Sequence, residues 1–334
     1  MSSRPTIICV TPIRNERWIL ATFLRAASVW ADHIILADQG SEDGSRELAA
    51  RFPKVRLIAN TSPVFNEAER RDLLMAEARK FPEPRLIFGL DADELLSADL
   101  FESPEWETVL NAPPGTAIHL QWVNLFSAFS RCHVYEPPKP FAYADDGRAI
   151  ESVYIHSPRI PENPRVPALY LSRGKVLHYQ YLDWPRMKAK HRWYQCLERI
   201  KYPGKSAVAI YRTYHHMDIS WARKDPIVPA WFSGYEKQGI DVTSLLVEPH
   251  PIFERDTLKF MEEHGVAAFR RLAIWDVNWP EIARHFGLAN PERFRDPRNA
   301  LERRFHRWLE QSNDYPFTWR NTMVGRFYRL LLRW

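Results

Sequence analysis

The sequence predicts a mixed α/β fold, with a mainly parallel sheet followed by a helical C-terminal region. Short β-branched segments alternate with amphipathic helical segments over the first hundred residues. Polar and acidic residues follow several of the β-branched segments, and helical spacing predominates after residue 183. We therefore expect a sheet domain over residues 1–183, and a helical region over residues 184–334 that makes acceptor, membrane or oligomer contacts.

The first hundred residues contain four predicted strands that alternate with three predicted helices. The strands cover residues 6–13, 33–40, 55–60 and 85–93, and the helices cover residues 15–31, 41–52 and 66–81. The first helix is predicted to begin with Asn15 as its N-cap, and its apolar side carries Ile19, Phe23, Ala26 and Trp30. Strands and helices at this spacing predict a parallel sheet covered on both faces.

The later elements are less regular. Residues 116–126 and 175–182 read as strands, and the proline-rich stretches between them, "PPKP" and "PRIPENPRVP", predict ordered loops. After Asp183 the spacing is helical. Asp296 and Pro297 predict the start of a late helix whose apolar face carries Leu301, Phe305, Trp308 and Leu309.

Composition excludes several classes of protein. The chain has 334 residues but only 12 glycines, and it contains neither G-x-G-x-x-G nor G-x-x-x-x-G-K-[ST]. The sequence therefore lacks the main motifs of dinucleotide-binding proteins and of P-loop nucleotide-binding proteins. Residues 292–334 hold ten Arg and five acidic residues, so they account for the whole formal net charge of +5. Because the rest of the chain is balanced, we expect no nucleic-acid partner.

The sequence predicts a cytoplasmic protein. Its three cysteines are far apart and lack metal-site spacing, Pro12 and Arg14 interrupt the apolar N-terminal run, and no run reaches a membrane-spanning length. The C-terminal "NTMVGRFYRLLLRW" predicts an amphipathic helix. Its apolar side carries Met323, Phe327, Leu330, Leu331 and Trp334, and its basic side carries Arg326, Arg329 and Arg333. Such a helix fits peripheral contact with the inner membrane face, packing on its own domain, or a homo-oligomer.

Polar residues gather where the predicted parallel strands end. "TPIRNE", "ADQGSEDGS" and "DADE" follow the first, second and fourth strands. Ligands of parallel sheets bind outside these carboxyl ends. Two readings of Asp91 and Asp93 remain open: they cap a helix at Glu94, or they hold Mg²⁺ or Mn²⁺, which prefer carboxylate oxygens.

Three segments, "TIICVTPIRNE", "HIILADQGSEDGS" and "RLIFGLDADELL", resemble in order and spacing the first half of inverting family 2 glycosyltransferases, which have the Rossmann-like GT-A fold. The resemblance covers roughly the first 100 residues and includes an acidic D-x-D motif. It implies metal-dependent, hexosyltransferase-type transfer with inversion, from a nucleoside-diphosphate sugar to a hydroxyl. The implied acceptor is a saccharide, a lipid-linked sugar or a protein.

The resemblance also implies roles for particular residues. Asp38 matches the aspartate that hydrogen-bonds the nucleotide base, and Gln39 departs from the family's usual Asp or Asn. The nucleotide-binding turn corresponds to Pro12, Asn15 and Glu16. Asp91 and Asp93 match the D-x-D motif that binds the metal ion and the diphosphate of the nucleotide sugar, with Asp93 favoured as the direct ligand of Mn²⁺ or Mg²⁺. His178 matches a metal-binding histidine.

Inversion requires a carboxylate that takes the proton of the acceptor hydroxyl. The segment "YADDGRAIESVYIHSPRIP" offers Asp145, Asp146 and Glu151, and we favour Asp146 because Asp-Asp-Gly predicts a turn.

Two rivals remain: a nucleotidyltransferase, disfavoured by the absence of a Gly-rich basic loop, and a non-catalytic sugar-binding relative. A D-x-D-x-T phosphatase is excluded because Leu95 occupies the Thr position. His215, His216 and Asp218 are interpreted as structural.

Overall fold

The computed structural model describes residues 4–126, 128–218, 225–246 and 251–332, except the side chains of residues 329 and 332. It divides into two compact units. Unit 1 comprises Met1–Leu182 and Asp225–Glu248, and unit 2 comprises Asp183–Lys224 and Pro249–Trp334. The first unit contains the sheet and the second is helical. The assignment of functions to residues 1–183 and 184–334 stays a prediction.

Unit 1 is built on one mixed sheet. Its described strands are β1 (Thr6–Ile13), β2 (His33–Asp38), β3 (Val55–Ala59), β4 (Arg85–Gly89), β5 (Glu94–Leu96), β6 (Ala117–Phe126), β7 (Arg131–Ala144), β8 (Leu169–His178) and β9 (Asp225–Pro226). The order is β3-β2-β1-β4-β7-β6-β8-β5, and β9 pairs with β7. Only β5 and β7 run opposite to the other described strands. The structure confirms the predicted mixed α/β class, with a mainly parallel sheet and a helical C-terminal region.

The helices of unit 1 are α1 (Arg17–Trp30), α2 (Ser45–Ala49), α3 (Glu67–Ala78), α4 (Pro104–Leu110) and α7 (Ala230–Glu236), with a short 3₁₀ helix at Ala98–Leu100. Helix α1 covers one face of the sheet and α3 the other, as the buried strands require. The predicted apolar side of α1 is confirmed as buried. The predicted N-cap is wrong: Glu16 precedes α1, whereas Asn15 has φ +56° and bonds a neighbouring loop.

The sequence predicts a loop for "PPKP", and this prediction is wrong. Pro137, Pro138 and Pro140 lie within β7, a strand of 14 residues. Strand β4 pairs only with residues 142–144 of β7, and β9 pairs only with residues 131–132. Among the described residues, the proline-containing part therefore has a ladder partner on one side only, β6, and its register there is irregular. Proline is tolerated where a strand behaves as an edge.

Unit 2 contains α5 (Trp184–Lys201), α6 (Ala207–Tyr214), α8 (Ile252–His264), α9 (Trp279–His285), α10 (Ala300–Gln311) and α11 (Trp319–Leu332), with 3₁₀ helices at Val266–Phe269 and Pro291–Phe294. Helix α10 begins after a capping box of Asn299 and Glu302, three residues later than Asp296 and Pro297 suggest. Arg333, Trp334 and the side chain of Arg329 lie outside the described residues. Across the described part of the chain, the helices are too short or too polar to cross a bilayer.

Candidate active site

The carboxyl ends of β1, β2 and β4 lie side by side, because β1 pairs in parallel with both of the others. The predicted nucleotide-binding and D-x-D segments follow these ends. Pro12 lies within β1 opposite Ala37 of β2, so it belongs to the sheet rather than to the turn beyond it. The structure thus brings the three motifs to one edge of the sheet, which we call the carboxyl edge.

The turn after β1 and the loop after β2 are bonded to each other. The backbone N–H of Asn15 donates to Ser41 Oγ (2.9 Å), and Asn15 Oδ1 accepts from the backbone N–H of Glu42 (2.7 Å). The backbone N–H of Glu16 donates to Ser45 Oγ (3.0 Å). Asn15 is almost fully buried. Its side chain therefore joins two loops at the carboxyl edge.

Asp38 and Gln39 end β2 with different partners. The Asp38 carboxylate is buried, accepts from the backbone N–H of Ser41 (3.2 and 3.3 Å) and lies 3.5 Å from Arg46 Nε. The Gln39 amide nitrogen donates to the backbone carbonyls of Ser62 and Val64 (3.1 and 2.8 Å). Gln39 thus holds the loop after β3, while Asp38 shapes its own loop.

Asp91 lies between two arginines. Its two carboxylate oxygens accept from Arg71 Nη2 (3.1 Å) and Arg159 Nη2 (3.0 Å), and its backbone N–H donates to Glu94 Oε2 (2.9 Å). Arg159 also pairs with the fully buried Glu94. Arg71 is buried and Arg159 is half-buried beside this acidic edge, so the two guanidinium groups concentrate positive charge there and fix the orientation of Asp91.

Burial lowers the pKa of Arg71, and the charge of Asp91 opposes this effect only in part. For Arg159, burial also acts against the charged form, but Asp91 and Glu94 outweigh it and raise the pKa. Arginine remains protonated in either case. Two permanent cations therefore lie beside Asp91.

Asp93 and His178 face each other across the short β5–β8 pairing. His178 Nε2 lies 3.7 Å from Asp93 Oδ2, and both side chains are buried. His178 Nδ1 is 2.7 Å from Asn124 Oδ1, and Trp122 stacks on the imidazole at 4.6 Å. Because an amide oxygen only accepts, Nδ1 carries the hydrogen. In the neutral imidazole the lone pair is then on Nε2, towards Asp93.

This donor set fits a hard divalent cation. A carboxylate oxygen and an imidazole nitrogen 3.7 Å apart can both ligate one ion. Asn124 orients the imidazole through its other nitrogen, as outer-shell partners of metal-bound histidines do. Asp91 is less free to join them because its oxygens accept from two arginines. The described residues contain no cluster of three or more His, Cys, Asp or Glu side chains that could form a complete metal cage, so substrate oxygens or water would complete the coordination.

The structure does not bring Asp145 and Asp146 to this edge. Asp145 follows β7, which is antiparallel to β4, and its backbone N–H donates to the carbonyl of Arg85 at the start of β4. The start of β4 and Asp91 are six residues apart, or about 20 Å along a strand. The preference for these residues as acceptor-activating bases is therefore corrected: they lie at the opposite edge, which we call the amino edge.

Both aspartates have structural partners at the amino edge. The fully buried Asp145 carboxylate accepts from Arg79 Nη2 and Arg85 Nε (both 2.9 Å). Asp146 Oδ1 accepts from Tyr143 Oη (2.5 Å), and its Oδ2 accepts from the Asn163 side chain (3.2 Å). Glu151 is exposed in the loop that follows.

Sequence reasoning missed three residues at the carboxyl edge: Arg71, Arg159 and Asn124. Arg71 is one of two adjacent arginines on a helix, Arg159 lies in a proline-rich loop, and Asn124 is a polar residue in a buried strand. Of these signals, only the buried Asn124 could have been noticed, because a polar side chain inside an apolar strand requires a partner.

Comparisons with known proteins reveal only weak similarities. No protein-family model matches the chain. Glucosyl-3-phosphoglycerate synthase from Mycobacterium tuberculosis, in complex with phosphoglyceric acid, is 19% identical over 37% of this chain and 45% of that chain, with a TM-score of 0.27. GalNAc-T7 with UDP, GalNAc and Mn²⁺ is 12% identical over 83% and 60%, with a TM-score of 0.36.

A structure of 4-diphosphocytidyl-2C-methyl-D-erythritol synthase is also similar, at 12% identity over 78% of this chain and 100% of that chain, with a TM-score of 0.28. The chain spans less than half the length of the first glycosyltransferase structures that it matches. Because these likenesses are weak and include different reactions, a function has to be inferred from the site.

Proposed function

We propose that the chain is a glycosyltransferase that uses a divalent cation to transfer a sugar, with inversion, from a nucleoside-diphosphate sugar to a hydroxyl acceptor. The observation that carries this proposal is the pairing of Asp93 with His178 at the carboxyl edge, beside the β2 end where Asp38 lies. Inversion follows from the family resemblance alone. The solved complexes of GalNAc-T7 and glucosyl-3-phosphoglycerate synthase hold UDP and Mn²⁺, the kinds of nucleotide and cation that the proposal requires.

In this proposal, Asp93 and His178 hold Mn²⁺ or Mg²⁺, which would offset the negative charge that develops on the departing diphosphate. Asp38 accepts a hydrogen bond from the nucleotide base, and the joined loops of Asn15 and Ser41 form the wall beside it. Arg71 and Arg159 hold Asp91 and supply positive charge close to the diphosphate. Asp145 and Asp146 take no part.

The test is a thermal-shift panel of uridine, guanosine and thymidine diphosphate sugars, with Mn²⁺ or with a chelator. We expect at least one donor to raise the melting temperature only when Mn²⁺ is present. Asp93→Asn should abolish this shift. Asp72→Asn is the matched control, because Asp72 is an exposed acid on α3 that has no part in the proposed metal or donor contacts, and it should preserve the shift. Equal shifts for both variants, or none for the wild type, would contradict the proposal.

Reaction products separate the proposed function from its rivals. A transferase slowly releases free sugar from its donor in Mn²⁺, and the initial anomer, read by proton NMR, should be inverted relative to the donor. A nucleotidyltransferase would instead form pyrophosphate from a nucleoside triphosphate and a sugar 1-phosphate. A sugar-binding relative without activity would bind the donor and release nothing.

We also propose that residues 315–331 lie on an anionic membrane surface. Large apolar side chains are exposed throughout this segment, including Phe317 (90%) and Trp319 (81%), followed by Met323, Phe327, Leu330 and Leu331. Arg320 and Arg326 are also exposed there. Aromatic and aliphatic side chains next to arginines complement the interface of a bilayer that carries anionic lipids.

Flotation with vesicles tests this contact. Wild-type protein should float with phosphatidylglycerol vesicles and not with pure phosphatidylcholine vesicles. A Phe317→Ser/Trp319→Ser variant should lose binding, whereas Val64→Ser, which alters an exposed apolar residue of unit 1, should keep it. Concentration-dependent dimerisation without flotation would instead assign the segment to contact with a second copy.

A further inference from the structure

Unit 2 contains a cavity of about 430 Å³, bounded by α5, α6, α10 and the chain before α9. This volume falls in the range of small-molecule binding sites, which is roughly 300–1,000 Å³. All of its lining residues belong to unit 2, so the cavity is independent of the carboxyl edge of the sheet. Neither the predicted nor the proposed function assigns it a role.

The lining of the cavity has an excess of positive charge. Five of its side chains are Lys or Arg and three are Asp or Glu, so its formal charge is +2 with neutral histidines. One pair is self-contained: Arg192 is buried and donates twice to Asp276, at 2.8 and 2.7 Å. Asp296, which lies outside the lining, pairs with Arg298 and Arg303 and offsets one further positive charge.

Three histidines line the cavity without adding charge. His191 is buried, and burial holds its pKa well below its usual value. Burial also lowers the pKa of His215 and of His306 to about 4. His306 Nε2 lies 3.0 Å from the carbonyl oxygen of Arg271, and its Nδ1 faces Arg298 Nη1 at 2.5 Å. Because that carbonyl can only accept, Nε2 carries the hydrogen and Nδ1 accepts from Arg298, which fits a neutral ring.

The cations at the mouth of the cavity are differently placed. Lys188 of α5 and Arg307 of α10 are exposed, and neither forms an ion pair with any side chain that the structure describes. Arg303, one turn before Arg307, lies 3.5 Å from Asp296, which Arg298 already engages. Cations from two different helices thus line one opening. Inside the cavity, Arg192 and His306 are already engaged in hydrogen bonds within the protein.

We propose that this cavity binds the phosphate group of a small, polyhydroxylated phosphomonoester. A phosphomonoester carries close to two negative charges at neutral pH, one for each of Lys188 and Arg307, the exposed cations with no ion-pair partner among the described side chains, whereas a carboxylate supplies only one. Lys188, Arg303 and Arg307 hold the phosphate at the mouth. Tyr211, Tyr214 and Trp275 also line the cavity, so its wall is partly aromatic and can contact the carbon skeleton of the ligand.

Calorimetric titration of the full chain tests the site, with a hexose 6-phosphate, inorganic phosphate and the uncharged hexose as probes. The hexose phosphate should bind, inorganic phosphate should compete with it, and the free hexose should not bind. Affinity should fall with added KCl, because the mouth cations are exposed. Arg307→Gln should weaken binding by about 5-fold, and Lys188→Gln/Arg307→Gln by more.

Arg304→Gln is the matched control. Arg304 is an exposed arginine of the same helix, outside the cavity lining, so its loss should leave affinity unchanged. Equal weakening by Arg304→Gln and Arg307→Gln, or no weakening by the double variant, would overturn the assignment. A hexuronate that binds as tightly as the hexose phosphate would overturn the choice of phosphate. Because the readout is binding in unit 2, these outcomes do not depend on whether donor turnover is observed.

A lipid headgroup and a soluble metabolite can present the same phosphate. Vesicles containing phosphatidic acid distinguish these sources. Binding to the vesicles that the hexose phosphate displaces, and that Arg307→Gln weakens, identifies a lipid source. Binding of the hexose phosphate alone identifies a soluble one. If neither probe binds, the proposal is wrong.

Discussion

The two edges of the unit 1 sheet carry similar acidic pairs with opposite surroundings. At the carboxyl edge, Asp93 faces an imidazole and Asp91 is partly exposed between two arginines. At the amino edge, Asp145 is fully buried between Arg79 and Arg85, and Asp146 accepts hydrogen bonds from its own turn and from Tyr143. The second pair is held by partners that stabilise the fold, whereas the first lies at the edge where we propose that ligands bind.

The difference shows that strand direction, rather than the local run of acids, separates the two roles. "DADE" and "ADDG" look alike as acidic turns. The first follows a strand that runs with the majority of the sheet, and the second follows β7, which runs against it. An acidic turn after an antiparallel strand lies at the wrong edge for a ligand that binds outside parallel carboxyl ends.

The largest expected effect is on stability at the amino edge. Asp145→Ala leaves Arg79 and Arg85 without their shared buried carboxylate, so the free energy of unfolding in urea should fall by about 3–5 kcal/mol. Below the transition, the folded protein should bind its nucleotide-sugar donor as the wild type does. If the folded variant loses donor binding, the amino edge takes part in binding the donor, and the two edges do not differ in function as proposed.

The second effect is on turnover at the carboxyl edge. Asp93→Asn removes a negative ligand from the proposed metal site, so donor hydrolysis in Mn²⁺ should fall roughly 10²–10³-fold, or about 3–4 kcal/mol of activation free energy. Its melting temperature without metal should change far less than that of Asp145→Ala. A rate within a few-fold of the wild type would show that Asp93 is not a metal ligand.

A third, smaller effect should appear in metal affinity. Asn124→Ala removes the amide oxygen that orients His178, and loss of such a partner weakens metal binding roughly 10–100-fold. Mn²⁺ titration followed by electron paramagnetic resonance measures this change. Asn111→Ala, which alters an exposed residue at the end of α4, is the control. Equal Mn²⁺ affinities for the two variants would argue against His178 as a ligand.

The smallest effect concerns the pH dependence of stability at Asp146. Partial burial opposes its ionisation, but the hydrogen bond from Tyr143 and further donors outweigh it, so the pKa of the Asp146 carboxyl lies below 3.8. The unfolded chain therefore takes up this proton first as the pH falls, and the stabilisation is complete above 3.8 and lost below it. Asp146→Asn should be less stable than the wild type at pH 6 by at most about 1 kcal/mol, after solvent screening.

Paired urea titrations from pH 6 down to pH 2.5 measure this difference, which should shrink towards zero at the acid end. A gap that widens as the pH falls would mean that Asp146 prefers its protonated form in the folded protein. Donor turnover should be unchanged, which repeats the comparison between the edges with a milder substitution.

The sequence predicted those parts of the fold in which burial alone decides the pattern. β1, β2 and β4 are continuous apolar runs, and their parallel pairing brought Asp38, Asp91 and Asp93 to one edge as expected. It failed where long-range pairing decides. The prolines of β7 lie where, within the described part of the chain, one side of the strand has no ladder partner. Arg71 and Arg159 reach Asp91 from segments 20 and 68 residues away.

The hydrogen bonds that join Asn15 to Ser41 and Glu42, and Glu16 to Ser45, have a consequence for engineering. Each loop supplies hydrogen-bond donors or acceptors for the other, so the two loops form one structural unit. Replacing either loop alone would leave buried polar groups without partners, whereas replacing both together keeps them satisfied. If the proposed donor site is correct, changes of donor preference should begin with the paired segments around residues 12–17 and 38–45.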